Sequence, residues 1–268
     1  MSVPAGYRSA QSVSLVFPAF NEQGYVERAV TRAVAALERV CDDFEIIVVD
    51  DGSTDGTHAE CARVARRQPR LHFIRCDVHR TLGATLRTGF REARKDVVVY
   101  CDIDLPIDMQ EIGRALYLLE YLEADVVCAF RHDRSAEGAR RAAYSLAYNM
   151  LVRAAFGVRV RDVNFGFKVV RRHVLGSLDL ASDGSFIDAE LVAKSIHSGY
   201  RLVQMGVDYF PRSRGESTLD SPAVIAKILR ELVTLYPQTR WPPRVVARAP
   251  PADVAETVAI GPERPHAG

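Results

Sequence analysis

Two carboxylates separated by a single residue, Asp102 and Asp104, follow a short apolar run that ends at Cys101. An Asp-x-Asp pair at the end of a strand supplies hard oxygen ligands of the kind that Mg²⁺ and Mn²⁺ prefer, and such a cation can also hold the phosphates of a nucleotide. The same residues could instead form a solvated turn, with Pro106 ending the strand. The pair predicts a divalent cation site, with a plain turn as the alternative.

A second acidic pair, Asp50 and Asp51, opens the segment DDGSTDGT after the apolar run EIIVV. Acids at a strand end can accept hydrogen bonds from a ribose or a base, and the glycines allow the backbone to approach a ligand closely. Helix capping is the alternative, because Ser53, Thr54 and Asp55 are all favoured N-cap residues.

These side chains need a scaffold that brings several strand ends together. Short β-rich runs alternate with amphipathic stretches through the first half of the chain. The predicted strands are Val13–Phe17, Phe44–Val49, Leu71–Arg75, Asp96–Cys101 and Ala124–Ala129, and the predicted helices are Gly24–Val40, Thr54–Gln68, Gly83–Arg94 and Met109–Tyr121. The alternation predicts an α/β fold with a mostly parallel central sheet and helices on both faces, and ligands should bind beyond the carboxyl ends of its strands.

After Phe130 the alternation changes. The sequence predicts a helix over Ser135–Phe156, a loop and strand over Arg161–Val170, a helix over Phe186–Ser198, one or two strands within Arg201–Phe210 and a last helix over Pro222–Tyr236. Seven of the thirteen prolines lie from residue 237 onward, which predicts a disordered or loosely attached tail. We therefore expect one domain over residues 12–236, between a flexible N-terminus and this tail.

Composition narrows the functional classes. A formal net charge of +1 gives no overall attraction to nucleic acid, so no nucleic acid partner is expected. Five cysteines in no paired or metal-like spacing argue against a disulfide framework and favour a reducing compartment. The N-terminus lacks a signal-peptide pattern, and no apolar stretch approaches the roughly 20 residues that span a bilayer. We expect a cytoplasmic protein that does not span the membrane and that can make peripheral contact with the inner membrane face.

The joint pattern of motifs is more specific than any single motif. In order, the chain carries SLVFPAFNE, EIIVVDDGSTDGT, a GAT...TGF segment and YCDIDLP, and it resembles the family 2 glycosyltransferases of GT-A fold, with a Rossmann-like sheet. Arg131, the pair Arg140-Arg141 with Ser145, DVNFGFK and RSRGES resemble the branch of dolichyl-phosphate mannose synthase and polyprenyl-phosphate glycosyltransferases. The resemblance covers about residues 12–236.

This resemblance implies a metal-dependent inverting enzyme that moves a hexose from a UDP- or GDP-sugar to a polyprenyl phosphate. Residues 12–130 would bind the donor, and residues 131–236 would bind the acceptor. The implied donor contacts are Pro18, Phe20, Glu22 and Asp51 for base and ribose, Asp102 and Asp104 for the Mg²⁺ or Mn²⁺ and the diphosphate, and Arg214 for the diphosphate. The implied acceptor-phosphate contacts are Arg131, Arg141 and Ser145.

A cationic acceptor site suits this chemistry, because an anionic acceptor that approaches an anionic donor needs charge compensation. Arg141, four residues before Ser145, can share its helix face, whereas the adjacent Arg140 cannot. The alternative for these arginines is a solvated basic face. A phosphate is already ionised near neutral pH and can attack without a general base.

Asp188 opens a predicted helix and is the second catalytic candidate beside Asp104. With a hydroxyl acceptor Asp188 would be the general base. With a phosphate acceptor it would be structural or sugar-binding, and an acid at a helix start also stabilises the helix dipole.

Three departures from the branch leave the acceptor open. Pro106 stands where relatives often have a polar residue, Thr218 stands where they often have lysine, and the chain ends in a proline-rich tail where many relatives have transmembrane helices. Tyr144, Tyr148 and Phe156 could meet a membrane surface, although core packing also explains them. The alternative functions are transfer to a soluble acceptor, such as a natural-product intermediate, and a catalytically silent binding subunit.

Overall fold

The computed structural model describes residues 3–133, 139–210 and 222–240, with side chains given for 3–133, 144–210 and 228–239. Within these ranges one sheet of seven strands forms. The strands are β1 (Val13–Ala19), β2 (Phe44–Asp50), β3 (Leu71–Arg75), β4 (Val97–Cys101), β5 (Val126–Arg131), β6 (Phe167–Arg171) and β7 (Leu202–Val207).

The strands lie in the order β3-β2-β1-β4-β6-β5-β7. All neighbours pair in parallel except β6, which runs antiparallel to both β4 and β5. Ala19 of β1 pairs with Asp50 of β2, and Val16 pairs with Tyr100 of β4, so the carboxyl ends of these three strands share one edge. The predicted mostly parallel α/β sheet is confirmed.

Helices cover both faces of the sheet, as predicted. They are α1 (Val26–Val40), α2 (Thr57–Ala65), α3 (Leu82–Glu92), α4 (Glu111–Tyr121), α5 (Ala139–Phe156), α6 (Arg172–Ser177), α7 (Ile187–His197) and α8 (Pro222–Arg240). Helices α1, α2 and α4 pack on one face, and α3, α5, α6, α7 and α8 pack on the other.

Strand β2 shows why this sequence folds as a sheet that is covered on both faces. Its seven residues, FEIIVVD, are all buried. Ile46 and Val48 point to one core cluster, while Ile47 and Val49 point to the other. A continuous apolar run of this kind is typical of a parallel strand covered on both faces, and each fully buried side chain of this type contributes about 1.5 to 3 kcal/mol.

The last helix continues beyond its predicted end at Tyr236. Helix α8 runs through Pro237 to Arg240. Proline lacks an N–H and normally ends or kinks a helix. Here the final turn is held by tertiary contacts, because Thr239 is buried and its carbonyl lies 3.1 Å from Nδ1 of His197 on α7. The short α6 was not predicted either.

All five cysteines are buried and carry free thiols. Among the helices in the described part of the chain, none combines the length and the apolar character needed to cross a bilayer.

Candidate active site at the carboxyl edge of the sheet

The loop after β4 holds both aspartates of the Asp-x-Asp pair in partly buried positions. The Asp102 N–H donates to the Gly166 carbonyl at 3.1 Å, and the Leu105 N–H donates to the Asp102 carbonyl at 3.1 Å. A Cβ added at Gly166 would overlap the Asp102 carboxylate. The absence of a side chain at position 166 therefore leaves the space that the Asp102 carboxylate occupies.

The donor set of this loop fits a hard divalent cation. Asp102 and Asp104 supply carboxylate oxygens from one short turn. No group of three or more His, Cys, Asp or Glu side chains suited to a metal occurs in the described ranges. Mg²⁺ is commonly held by one or two carboxylates with its other positions filled by water and substrate phosphates. Pro106 is buried, and its carbonyl accepts the Phe210 N–H at 2.9 Å.

Asp51, at the end of β2, is fixed by the loop that follows β3. Its Oδ1 accepts the Arg80 N–H at 2.9 Å, and its Oδ2 accepts the Thr81 N–H at 2.8 Å. His79 Nδ1 also lies 2.8 Å from Oδ2. Thr81 has a φ of 88°, a region that non-glycine residues seldom adopt, and this backbone turn points its N–H at the carboxylate. The structure thus orients Asp51 within the same strand-end edge.

The residues after β1 lie beside Asp51. The Phe20 ring stacks on His79 with 3.9 Å between ring centroids and an angle of 28°. Glu22 is buried, and its N–H donates to Thr57 Oγ1 at 2.8 Å. Pro18, half-buried within β1, pairs with Val49. Pro18, Phe20, Glu22 and Asp51, which the sequence predicted to contact base and ribose, thus lie at neighbouring ends of β1 and β2.

The hydroxyl residues of the DDGSTDGT segment mainly join the β1 and β2 loops. Asn21 N–H donates to Ser53 Oγ at 2.9 Å, and Thr54 N–H donates to Asn21 Oδ1 at 2.9 Å. Asp55 Oδ1 does accept the Thr57 N–H at 2.9 Å, at the start of α2. The N-cap of α2 is Gly56, without a side-chain cap, so none of the three residues is the N-cap. Asp55 instead forms a local turn just before the helix, whereas Ser53 and Thr54 connect the two loops.

Arg131, at the end of β5, is bound to a buried acid. Its Nε and Nη2 donate to the Asp162 carboxylate at 2.7 and 3.0 Å. The guanidinium carbon lies 5.3 Å from the ring centroids of both Phe165 and Tyr209. Its positive charge is therefore partly offset by Asp162. Ser145, on α5, is half-buried.

The other cationic candidates lie where side chains are not described. Arg141 belongs to the first turn of α5, but its side chain is outside the described residues, as is that of Arg140. Arg214 and Thr218 lie outside the described residues altogether.

Asp188, in the first turn of α7, is buried with Lys168 of β6 and Tyr100 of β4. Lys168 Nζ lies 2.5 Å from Asp188 Oδ1, 3.0 Å from the Tyr100 hydroxyl and 2.9 Å from the Phe165 carbonyl. The Tyr100 hydroxyl also donates to Asp188 Oδ1. Burial raises the pKa of the Asp188 carboxyl well above its usual range and lowers the pKa of the Lys168 ammonium to about 8.

Neither Tyr100 nor Lys168 was a candidate site residue in the sequence analysis. The only signal in the sequence was Lys168 between the apolar residues Phe167 and Val169 of β6. A fully buried lysine is rare unless it is paired.

The GAT segment positions the start of α3 against the loop that precedes α7. The Gly83 N–H donates to the Asp183 carbonyl at 2.8 Å, and Arg87 Nη2 lies 2.5 Å from Asp183 Oδ1. A Cβ at Gly83 would overlap the Ser182 carbonyl. A glycine is therefore needed where α3 meets this loop.

Comparison with known proteins identifies the family of this chain. The family model described as glycosyl transferase family 2 matches residues 14–178. The chain therefore belongs to glycosyltransferase family 2, and the predicted class of enzyme is confirmed.

Some of the proteins similar in sequence have names that specify undecaprenyl phosphate. The chain is 31% identical over 243 residues to glycosyltransferase AglD of Haloferax volcanii, covering 88% of this chain and 39% of that protein. It is 30% identical over 230 residues to undecaprenyl-phosphate 4-deoxy-4-formamido-L-arabinose transferase of Aeromonas hydrophila, covering 85% and 68%. The enzyme of that name from Pectobacterium atrosepticum is 33% identical over 172 residues, covering 63% and 51%. The chain thus spans between 39% and 68% of these relatives.

Solved structures confirm the predicted GT-A fold. Glucosyl-3-phosphoglycerate synthase from Mycobacterium tuberculosis, in complex with Mn²⁺, UDP-glucose and phosphoglyceric acid, superimposes with a TM-score of 0.68 at 19% identity. The match covers 85% of this chain and 80% of that one.

Proposed function

We propose that the chain is a metal-dependent inverting glycosyltransferase that moves a hexose from a UDP- or GDP-sugar to a polyprenyl phosphate. The observation that carries this proposal is the edge of the sheet where Asp102 lies against Gly166, with Asp104 in the same loop, and where Asp51 and Phe20 also lie. One edge thereby offers groups for a nucleoside and for a diphosphate-bound cation.

Donor binding would use both parts of this edge. Phe20 and the fixed Asp51 carboxylate would contact base and ribose, with Pro18 and Glu22 beside them. Asp102 and Asp104 would hold Mg²⁺ or Mn²⁺, and Arg214 would contact the diphosphate. The cation, when bound, neutralises charge that develops on the leaving diphosphate. The Mycobacterium tuberculosis enzyme, which has the same fold, was crystallised with Mn²⁺ and UDP-glucose, and this supports the proposal.

The transfer itself is a single displacement. A phosphate oxygen of the acceptor forms a bond to the anomeric carbon, the bond from that carbon to the diphosphate oxygen breaks, and the nucleoside diphosphate leaves with the bonding electrons. Attack from the opposite face inverts the configuration. Arg131, Arg141 and Ser145 would hold the acceptor phosphate. No base is needed, because the attacking oxygen is already ionised.

The position of Asp188 supports a phosphate acceptor over a hydroxyl acceptor. Its side chain is 4% exposed and bonded to Lys168 and Tyr100. A general base must reach the acceptor proton directly or through one water. The names of two of the relatives, which specify undecaprenyl phosphate, point the same way.

Two alternatives remain as outcomes of the test. A soluble acceptor is suggested by the phosphoglyceric acid bound to the Mycobacterium tuberculosis enzyme. A catalytically silent binding subunit is the other, and the presence of both Asp102 and Asp104 counts against it.

The test is a panel of labelled UDP- and GDP-hexoses incubated with the purified full chain, Mn²⁺, and either a polyprenyl phosphate or phosphoglyceric acid. Labelled sugar in the polyprenyl phosphate fraction is expected, with a product mass that equals acceptor plus hexose. Transfer to phosphoglyceric acid alone would replace the lipid acceptor with a soluble one. Donor binding without any transfer would favour the silent subunit.

A further inference from the structure

A cavity of about 420 Å³ lies between the carboxyl end of β5 and helix α5, beside the Arg131–Asp162 pair. Its lining combines cationic and apolar side chains. The lining includes Arg131, His132, Leu146, Met150, Arg153 and Arg161. A cavity of this size is larger than a bare phosphate group needs.

Two of the arginines are held in place by neutral groups. Arg153 Nε and Nη2 donate to the Val160 carbonyl at 3.3 and 3.1 Å. The Arg161 guanidinium lies 4.7 Å from the centroid of the Phe130 ring. Among the residues whose side chains the structure describes, neither arginine is paired with an acid. Arg131, in contrast, shares its charge with Asp162.

The opposite wall is apolar and open to solvent. Leu146 and Met150 are each 60% exposed, and they stand one turn apart on α5. Arg153 follows Met150 by three residues and lies on the same helix face. An exposed apolar strip that leads to held cations is complementary to a ligand with an anionic head and an apolar chain.

We propose that this cavity binds the head of the lipid acceptor, with Arg153 and Arg161 as phosphate ligands additional to Arg131, Arg141 and Ser145, and with Leu146 and Met150 in contact with the first units of the polyprenyl chain. This inference rests on the proposed function and assigns residues that no sequence motif singled out. His132 lines the same cavity and borders the head-group position.

The charge part is tested by acceptor kinetics of the full chain with Arg153→Gln and Arg161→Gln. Arg159→Gln is the matched control, because Arg159 is exposed on the same loop and does not line the cavity. Arg153→Gln and Arg161→Gln should each raise the acceptor KM by about tenfold or more, since each loses a charge-assisted contact to the phosphate. The donor KM and the thermal midpoint should stay at the control values.

The apolar part is tested with two acceptors, undecaprenyl phosphate and the short, water-soluble citronellyl phosphate. Leu146→Ser combined with Met150→Ser should raise the KM for the long acceptor and leave that for the short one nearly unchanged. Val233→Ser, at a 71% exposed position on α8, is the control. Equal effects on both acceptors, or none on either, would overturn the assignment of the apolar wall.

Direct binding separates this inference from the proposed function. Fluorescent citronellyl phosphate is titrated into the wild type, Arg161→Gln and Arg159→Gln without donor, with inorganic phosphate as competitor. Weaker binding in Arg161→Gln alone supports the cavity, even if no transfer to any lipid phosphate is found and the proposed function fails. Equal binding in all three proteins, or full competition by millimolar inorganic phosphate, rejects a prenyl phosphate site here.

Discussion

Lys168 Nζ lies 2.5 Å from Asp188 Oδ1, and both side chains are buried, at 1% and 4% exposure. The pair joins β6 to the first turn of α7, and it also bonds the Phe165 carbonyl, one residue before the glycine that packs against Asp102. The pair therefore supports the floor of the candidate site. Lys168 also binds Asp188, which is the residue that would have to act as general base if the acceptor were a hydroxyl.

Breaking this pair should be costly, whereas replacing it should not. Lys168→Met leaves a buried carboxyl without its cation and should lower the free energy of unfolding by about 3 to 5 kcal/mol. Lys168→Met with Asp188→Leu should recover most of that loss, although the Tyr100 hydroxyl then loses its partners. Denaturant unfolding of the wild type, both single variants and the double variant measures this. A double variant less stable than Lys168→Met would contradict the account.

The cost of Lys168→Met should also depend on pH. Burial raises the pKa of Asp188 above its unfolded value. A carboxyl of this kind stabilises the fold most below the unfolded pKa of about 4, and that contribution is lost as pH rises through the folded pKa. Without the Lys168 ammonium this pKa should rise further, so the variant should lose stability relative to the wild type as pH rises from about 4 towards neutral. A constant difference over that range would show that Lys168 does not control the ionisation of Asp188.

Gly166→Ala should impair the cation site more than the fold. The added Cβ would overlap the Asp102 carboxylate and force it to move. A displacement of about 1 Å can reduce activity by roughly tenfold to a hundredfold. Gly176→Ala is the matched control, since no atom lies within 4 Å of its added Cβ. The readouts are the Mn²⁺ concentration for half-maximal activity and the thermal midpoint, and an unchanged Mn²⁺ requirement would remove Gly166 from the site.

The choice of acceptor is tested by Arg141→Ala and Asp188→Asn, assayed with a polyprenyl phosphate. Arg141→Ala should weaken acceptor use by about tenfold and leave donor binding nearly intact, because the two anions lie on opposite sides of the anomeric carbon. Asp188→Asn should lose much less than the roughly hundredfold that a general base contributes. A crippled Asp188→Asn beside a fully active Arg141→Ala would reject the phosphate acceptor.

Local pattern was enough to predict most of the fold. The buried run of β2 and the periodic apolar residues of α1 point to their elements without any tertiary knowledge. The position and direction of β6 in the sheet could not be predicted, because the sequence FKVVR does not indicate which strands it pairs with. Its antiparallel insertion between β4 and β5 is set by long-range pairing.

The site residues also divide into those that local sequence predicts and those that only long-range contacts bring together. Asp51, Asp102 and Asp104 stand directly after strands, so motif and order along the chain predict that they share an edge. Tyr100 and Lys168 are 68 residues apart and become neighbours only through the β4–β6 register, which places them opposite each other. Arg153 and Arg161 belong to an ordinary scatter of surface charges in the sequence, and only the cavity distinguishes them.

The central claim is that the Asp102–Asp104 loop holds a divalent cation needed to transfer a hexose to a polyprenyl phosphate. The most direct measurement is the initial rate of that transfer with Mn²⁺ for the wild type, Asp102→Asn, Asp104→Asn and the exposed control Asp108→Asn. Excess chelator and either site variant should each reduce the rate by about a hundredfold or more, and Asp108→Asn should match the wild type. Full activity in excess chelator, or in both site variants, would contradict the account.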